Sequence, residues 1–135
     1  MVKKSIIDFQ KMKKDGIKLT WLTSYDYPTA MFAEKSGIEM LLVGDSMGMC
    51  VYGYQAGTLP VTMEQCIVHT EAVRRGAPNT FIMGDMPFLS YQTTPAEAVK
   101  NAGRFYSLCW QKDREEHQVP VKRCPSGSRD TPWPF

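Results

Sequence analysis

Two acids stand where chemistry is often done. In LLVGDSMGM an apolar run ends at Gly44 and Asp45, with Ser46 following; in FIMGDMPF another ends at Gly84 and Asp85, forty residues later. In parallel α/β folds the ligand site lies at the carboxyl ends of the strands, so two acids in this register would face one crevice. A carboxylate pair this close repels, and one member keeps its proton unless a cation lies between them. Mg²⁺ suits such a pair, because it takes one or two carboxylates and completes its octahedron with water and substrate oxygens. No histidine or thiolate stands beside either acid to favour a softer metal. Ser46 offers a hydroxyl to an anionic substrate group, and a glycine before each acid allows close approach. For a single Gly-Asp the simpler reading is a helix cap or a turn. The repetition at one register sets the metal or substrate site beside that reading.

Other chemically able residues have plainer explanations. Tyr25 and Asp26 end an apolar stretch and could line the same crevice, though Asp26 equally suits the cap of the next helix. His69 falls in mid-helix and reads as structural, Arg74 and Arg75 as a solvated helix end, and the nine methionines as core filler. The run from Gly44 to Gly48 lacks the G-x-x-x-x-G-K-[ST] pattern of a phosphate loop.

The elements that must position the acids follow from local pattern. Ser5 with Asp8 resembles a capping box and predicts a helix over 5–14, ended by Gly16. The β-branched and aromatic residues of IKLTWLTSYD predict a buried strand over 18–24. YPTAMFAEKSG predicts a helix begun at Pro28 and closed by Gly37, and IEMLLVG a second strand. Residues 46–61 carry three glycines and Pro60 without a period, which marks a long functional loop. Thr62 and Gln65 open a helix that ends at Arg74, Arg75 and Gly76. TFIMG is a third strand, and TPAEAVKNAGRFY a last helix. A helix followed by three strand–helix units, with unbroken apolar strands, predicts an α/β fold with a parallel sheet covered by helices.

Composition excludes several classes. The chain has 135 residues and a net charge of +2, with no long run of like charge, so nothing marks a nucleic-acid partner. No apolar run reaches the ~18 residues of a membrane-spanning helix, and MVKKSIIDFQKMKK lacks the apolar stretch of a secretory signal. Cys50, Cys66, Cys109 and Cys124 form no C-x-x-C pair, and His69 and His117 are not at zinc spacings from them. Free thiols and a cytoplasmic location are the expectation. Residues 107–135 differ from the rest: eight of 29 are hydrophobic against 50 of the first 106, and four of the nine prolines lie there. They are expected to form an irregular, disordered tail beside a structured domain over 1–106.

Five motifs in order and spacing, TSYDYPTA, LLVGDSMGM, GTLPVT, HTEAVRRGAPN and GDMPFLSY, closely resemble ketopantoate hydroxymethyltransferases, from about residue 3 to Phe105 or Tyr106. The resemblance implies an N-terminal helix and the first three βα units of a phosphoenolpyruvate/pyruvate-type (β/α)8 TIM barrel. It implies transfer of a one-carbon unit from 5,10-methylenetetrahydrofolate to the 2-oxoacid 3-methyl-2-oxobutanoate, giving 2-dehydropantoate for pantothenate biosynthesis, with Mg²⁺ as cofactor and a homodecameric assembly. By the same resemblance Asp45 and Asp85 are the metal ligands, and Asp45, Ser46 and Asp85 contact the 2-oxoacid.

The family pattern then stops. Its fourth strand carries Lys-x-Glu-Gly-Gly, and a site histidine and the general-base glutamate come later; no match to these follows. Lys112 and Glu115 fall near the right distance, but no apolar strand surrounds them and no Gly-Gly follows. A (β/α)8 barrel needs ~200 residues or more. The expectation is therefore a truncated and inactive chain whose residues 107–135 come from a frame shift or wrong splice. Two other readings stand beside it. One is another 2-oxoacid enzyme of the same superfamily, such as a lyase, which the YDYPTA and GTLPVT motifs disfavour. The other is a non-catalytic fragment that interacts with full-length subunits.

Overall fold

Ser5 opens the first helix. Its hydroxyl accepts the Asp8 N–H, and the Asp8 carboxylate accepts the Ser5 N–H at 2.7 Å, so two donors of the first turn that lack helical partners are satisfied reciprocally. The computed structural model describes residues 3–109. It comprises α1 (Ile6–Lys14), β1 (Trp21–Thr23), α2 (Tyr27–Lys35), β2 (Met40–Val43), α3 (Met47–Cys50), α4 (Met63–Gly76), β3 (Phe81–Gly84) and α5 (Pro95–Cys109). Of the residues expected as an irregular tail, 107–109 instead continue α5; from residue 110 on the tail lies outside the described residues, as do Lys112 and Glu115.

The three strands form one parallel sheet in the order β1-β2-β3, with Leu22 opposite Leu41 and Val43 opposite Gly84. Leu41, Val43 and Ile82 are buried and join residues of α2, α4 and α5 in one core: Ala30, Cys66, Val73 and Phe105. Successive strand residues point to opposite faces, and the other face is less covered. Met83 is exposed and Met40 half-buried, and α1 reaches this face through Phe9, whose ring meets Phe81 edge-on at 5.1 Å.

Local signals place most elements well. Thr62 and Gln65 form the second reciprocal cap, at the start of α4. Asp26 caps α2 by accepting the Thr29 N–H at 2.8 Å, with Pro28 in the first turn, and Gly37 at φ +84° follows the helix. Three expectations need correction. The first strand is shorter than 18–24 and not buried: Trp21 is 55% exposed. It is an edge strand, and a groove between it and α1 leaves Trp21 exposed. The loop expected over 46–61 begins with the short helix α3, which has no side-chain cap to announce it. Arg74 is not a solvated end, because its guanidinium donates to the Ala77, Pro78 and Thr80 carbonyls and closes the turn from α4 into β3.

Candidate functional site

Gly44–Asp45–Ser46 follows β2 and Asp85 follows β3, so all lie at the carboxyl edge of the sheet. The two Gly-Asp pairs are not level, contrary to the reading of one shared register. Val43 pairs with Gly84, which brings Asp85 alongside Gly44, one residue short of Asp45. The offset is what joins the acids. The Asp85 N–H donates to the Val43 carbonyl at 3.0 Å, and the Asp45 N–H donates to Asp85 Oδ2 at 3.3 Å. A side chain at Gly44 would meet Ser46 Oγ at 2.7 Å and Asp85 Oδ2 at 3.4 Å, so it would push the Ser46 hydroxyl from its place. The glycine before Asp85 serves packing instead: a side chain at Gly84 would meet the Phe105 ring at 3.0 Å.

Burial pushes the Asp85 carboxyl above its ordinary value. The Asp45 N–H pulls it back, and the Asp45 charge adds to the rise. Beneath the pair lies Cys66, fully buried, whose thiol is pushed up to about 12, by burial first and then by the Asp45 and Asp85 charges. The thiol is therefore a packed apolar group, not a nucleophile. Among the described residues, no third histidine, cysteine or acid joins Asp45 and Asp85 in a group able to hold a metal alone.

Ser46, the third residue singled out in the sequence, is not free in the crevice. Its hydroxyl is 2.8 Å from the Tyr25 phenol, which comes from the end of β1. Burial raises the Tyr25 phenol pKa, against the pull of the Ser46 hydrogen bond. The structure thus brings Tyr25, Asp45, Ser46 and Asp85 together, while Asp26 turns away to cap α2. His69 is drawn in as well, with Nδ1 at the Tyr25 carbonyl and Nε2 2.7 Å from the Tyr52 phenol of the glycine-rich loop. Its place in the middle of an amphipathic helix hid that role; its half-polar neighbourhood in VHTEAVRR was the only sign.

The sequence profile of the ketopantoate hydroxymethyltransferase family matches residues 3–111. The chain is 64% identical over 103 residues to the 3-methyl-2-oxobutanoate hydroxymethyltransferase of Alkaliphilus metalliredigens, covering 76% of this chain and 36% of that protein. It is 55% identical over 101 residues to the protein of that name from a Geobacillus species, covering 75% and 36%. With that of Syntrophus aciditrophicus it shares 57% over 94 residues, covering 70% and 34%. The chain thus spans about a third of the length of the curated relatives it matches.

Proposed function

The chain belongs to the ketopantoate hydroxymethyltransferase family, and on that premise we propose that its carboxyl-edge crevice is the Mg²⁺ and 2-oxoacid site of a one-carbon transferase. The observation that supports it most is the acid pair, two carboxylates at neighbouring strand ends linked by the Asp45 N–H to Asp85 Oδ2. Their fit to a hard cation follows from charge. Burial and the Asp45 charge both raise the Asp85 pKa, and a divalent ion relieves both strains while needing only one or two protein carboxylates. Asp45 and Asp85 would hold it, and when bound it supplies Lewis acidity at a keto oxygen. Ser46 binds the 2-oxoacid beside it. With the Tyr25 phenol as donor, the Ser46 hydroxyl keeps its own hydrogen for a substrate oxygen.

In this reading the 2-oxoacid is 3-methyl-2-oxobutanoate, 5,10-methylenetetrahydrofolate supplies the one-carbon unit, and the product is 2-dehydropantoate. The three βα units, closed by α5, are the first three of a (β/α)8 barrel. Assembly as a homodecamer and a cytoplasmic location complete the reading; the free thiols of Cys50 and Cys66 support the latter. No described helix is long and apolar enough to cross a membrane.

Calorimetric titration of the 135-residue chain, first with Mg²⁺ and then with 3-methyl-2-oxobutanoate, tests the site. Asp45→Asn and Asp85→Asn are each expected to weaken Mg²⁺ at least tenfold, about 1.4 kcal/mol, and to abolish the dependence of 2-oxoacid binding on the metal. Undiminished Mg²⁺ binding in both variants removes the assignment. The exposed apolar sheet face, with Trp21 and Met83, favours a second reading, a non-catalytic segment that docks on full-length subunits. Co-purification with a full-length family member separates the two.

A further inference from the structure

His69 holds two partners that are far apart in sequence. Nδ1 lies at the carbonyl oxygen of Tyr25, at the end of β1, and Nε2 lies 2.7 Å from the Tyr52 phenol. A carbonyl oxygen only accepts, so Nδ1 must carry the hydrogen. The neutral ring then offers a bare Nε2, and the Tyr52 phenol donates to it. The pairing thus selects one tautomer and one orientation of the phenol.

Tyr52 belongs to the glycine-rich loop between α3 and α4. Its ring stacks on Tyr54 at 5.5 Å and meets the His69 ring edge-on at 5.6 Å. Tyr54 accepts a hydrogen bond from Gln65 Nε2 at 2.8 Å, and Gln65 is half of the α4 cap. Both tyrosines of the loop are therefore fastened to α4, Tyr54 at its first turn and Tyr52 through His69, a turn further along. The other arm of His69 reaches the backbone of Tyr25, whose phenol holds Ser46. Hydrogen bonds on either side of Tyr25, one at its carbonyl and one at its phenol, join the loop to the crevice, and His69 supplies the link from Tyr52 to Tyr25.

We infer that His69 is a positioning residue: as the Nδ1–H tautomer it clips the loop over residues 51–61 to the end of β1, and through Tyr25 it sets where Ser46 stands. The second half of this inference rests on the 2-oxoacid reading of the crevice; the clip itself does not. Its chemistry requires both ring nitrogens. An asparagine at 69 places an amide near Nδ1 and keeps the Tyr25 contact alone. A glutamine reaches the Nε2 position and keeps the Tyr52 contact alone.

Three measurements on the full 135-residue chain test it. Nitrogen-15 NMR of the histidine rings should place the His69 hydrogen on Nδ1 at neutral pH. Amide exchange over residues 51–61 should quicken roughly fivefold to tenfold in Tyr52→Phe and in His69→Asn, the scale of one lost hydrogen bond, and stay closer to wild type in His69→Gln. Mg²⁺ affinity should be unchanged in Tyr52→Phe, since Tyr52 touches neither acid, while 3-methyl-2-oxobutanoate affinity in the presence of Mg²⁺ falls several-fold. A hydrogen on Nε2, or wild-type exchange in Tyr52→Phe, overturns the clip. Quickened exchange with unchanged 2-oxoacid affinity overturns its link to Ser46. A wild-type chain that binds no 2-oxoacid overturns the functional reading instead, and the clip is then judged on the tautomer and the exchange alone.

Discussion

At the scale of single residues, identity matters less than what each side chain is set against. Two cysteines illustrate it. Cys50 is exposed at the end of α3, while Cys66 is fully buried under the acid pair. Burial holds the Cys66 thiol protonated, its pKa pushed up to about 12 from 9.0, and only the thiolate reacts. Iodoacetamide at mildly alkaline pH is expected to label Cys50 in the folded chain and to reach Cys66 only after denaturation. Equal labelling rates, read by peptide mass spectrometry, would show that α4 does not pack under the site. The acids follow the same logic. Asp26, Asp45 and Asp85 all stand near strand ends, yet Asp26 caps a helix while Asp85 accepts the Asp45 N–H.

At the scale of elements, the placement of β3 depends on a carboxylate from α2. Glu34 Oε2 accepts the Asn79 and Thr80 N–H groups at 2.9 Å and the Thr80 hydroxyl at 2.9 Å, and Oε1 accepts from Asn79 Nδ2. These bonds tie the entry of β3, and therefore Asp85 at its exit, to the helix layer. Burial alone would raise the Glu34 pKa; the hydrogen bonds outweigh it, and the net value is lowered below 4.5. A carboxyl with a lowered folded-state pKa contributes stability above its unfolded value, and that stability is lost as pH falls through the folded one. Wild type should therefore lose stability as pH drops below about 4.5 in part through Glu34, and Glu34→Gln should flatten that slope in urea melts at several pH values. Glu34→Ala should cost about 1–3 kcal/mol at neutral pH, because it leaves the Thr80 N–H and hydroxyl unpaired. A neutral-pH change under a few tenths of a kcal/mol would mean that β3 is held by its ladder alone.

At the scale of the whole molecule, the sheet has one packed face and one open one. A groove of about 940 Å³ runs along the open face between α1 and the strands, lined by Ile6, Phe9, Ile17, Trp21, Phe81 and Met83 among others. Scattered apolar residues on a surface need no explanation, but a contiguous patch beside unpaired strand edges does. The chain by itself is expected to self-associate through this face. Sedimentation velocity should show a mass that rises with concentration, and Met83→Lys, at a position already 39% exposed, should reverse it without lowering the melting temperature. A wild-type monomer at every concentration would show that the face is shielded.

Much of this was legible in the sequence wherever the determining interaction is local. Ser5 with Asp8 and Thr62 with Gln65 each close a ring within four residues, so their helices could be read at once. The apolar runs named the strands, and Gly-Asp at their ends put two acids at the carboxyl edge of the sheet, since a residue that follows a parallel strand emerges there whatever the loops do. Only the tertiary structure decided the rest. The one-residue offset that lets the Asp45 N–H reach Asp85 is set by strand pairing, the exposure of Trp21 by what lies over an edge strand. The task of His69 is set by a tyrosine seventeen residues away and a carbonyl forty-four residues away. Contacts between residues so distant in sequence leave no local pattern, because their geometry exists only once the helices have packed on the sheet.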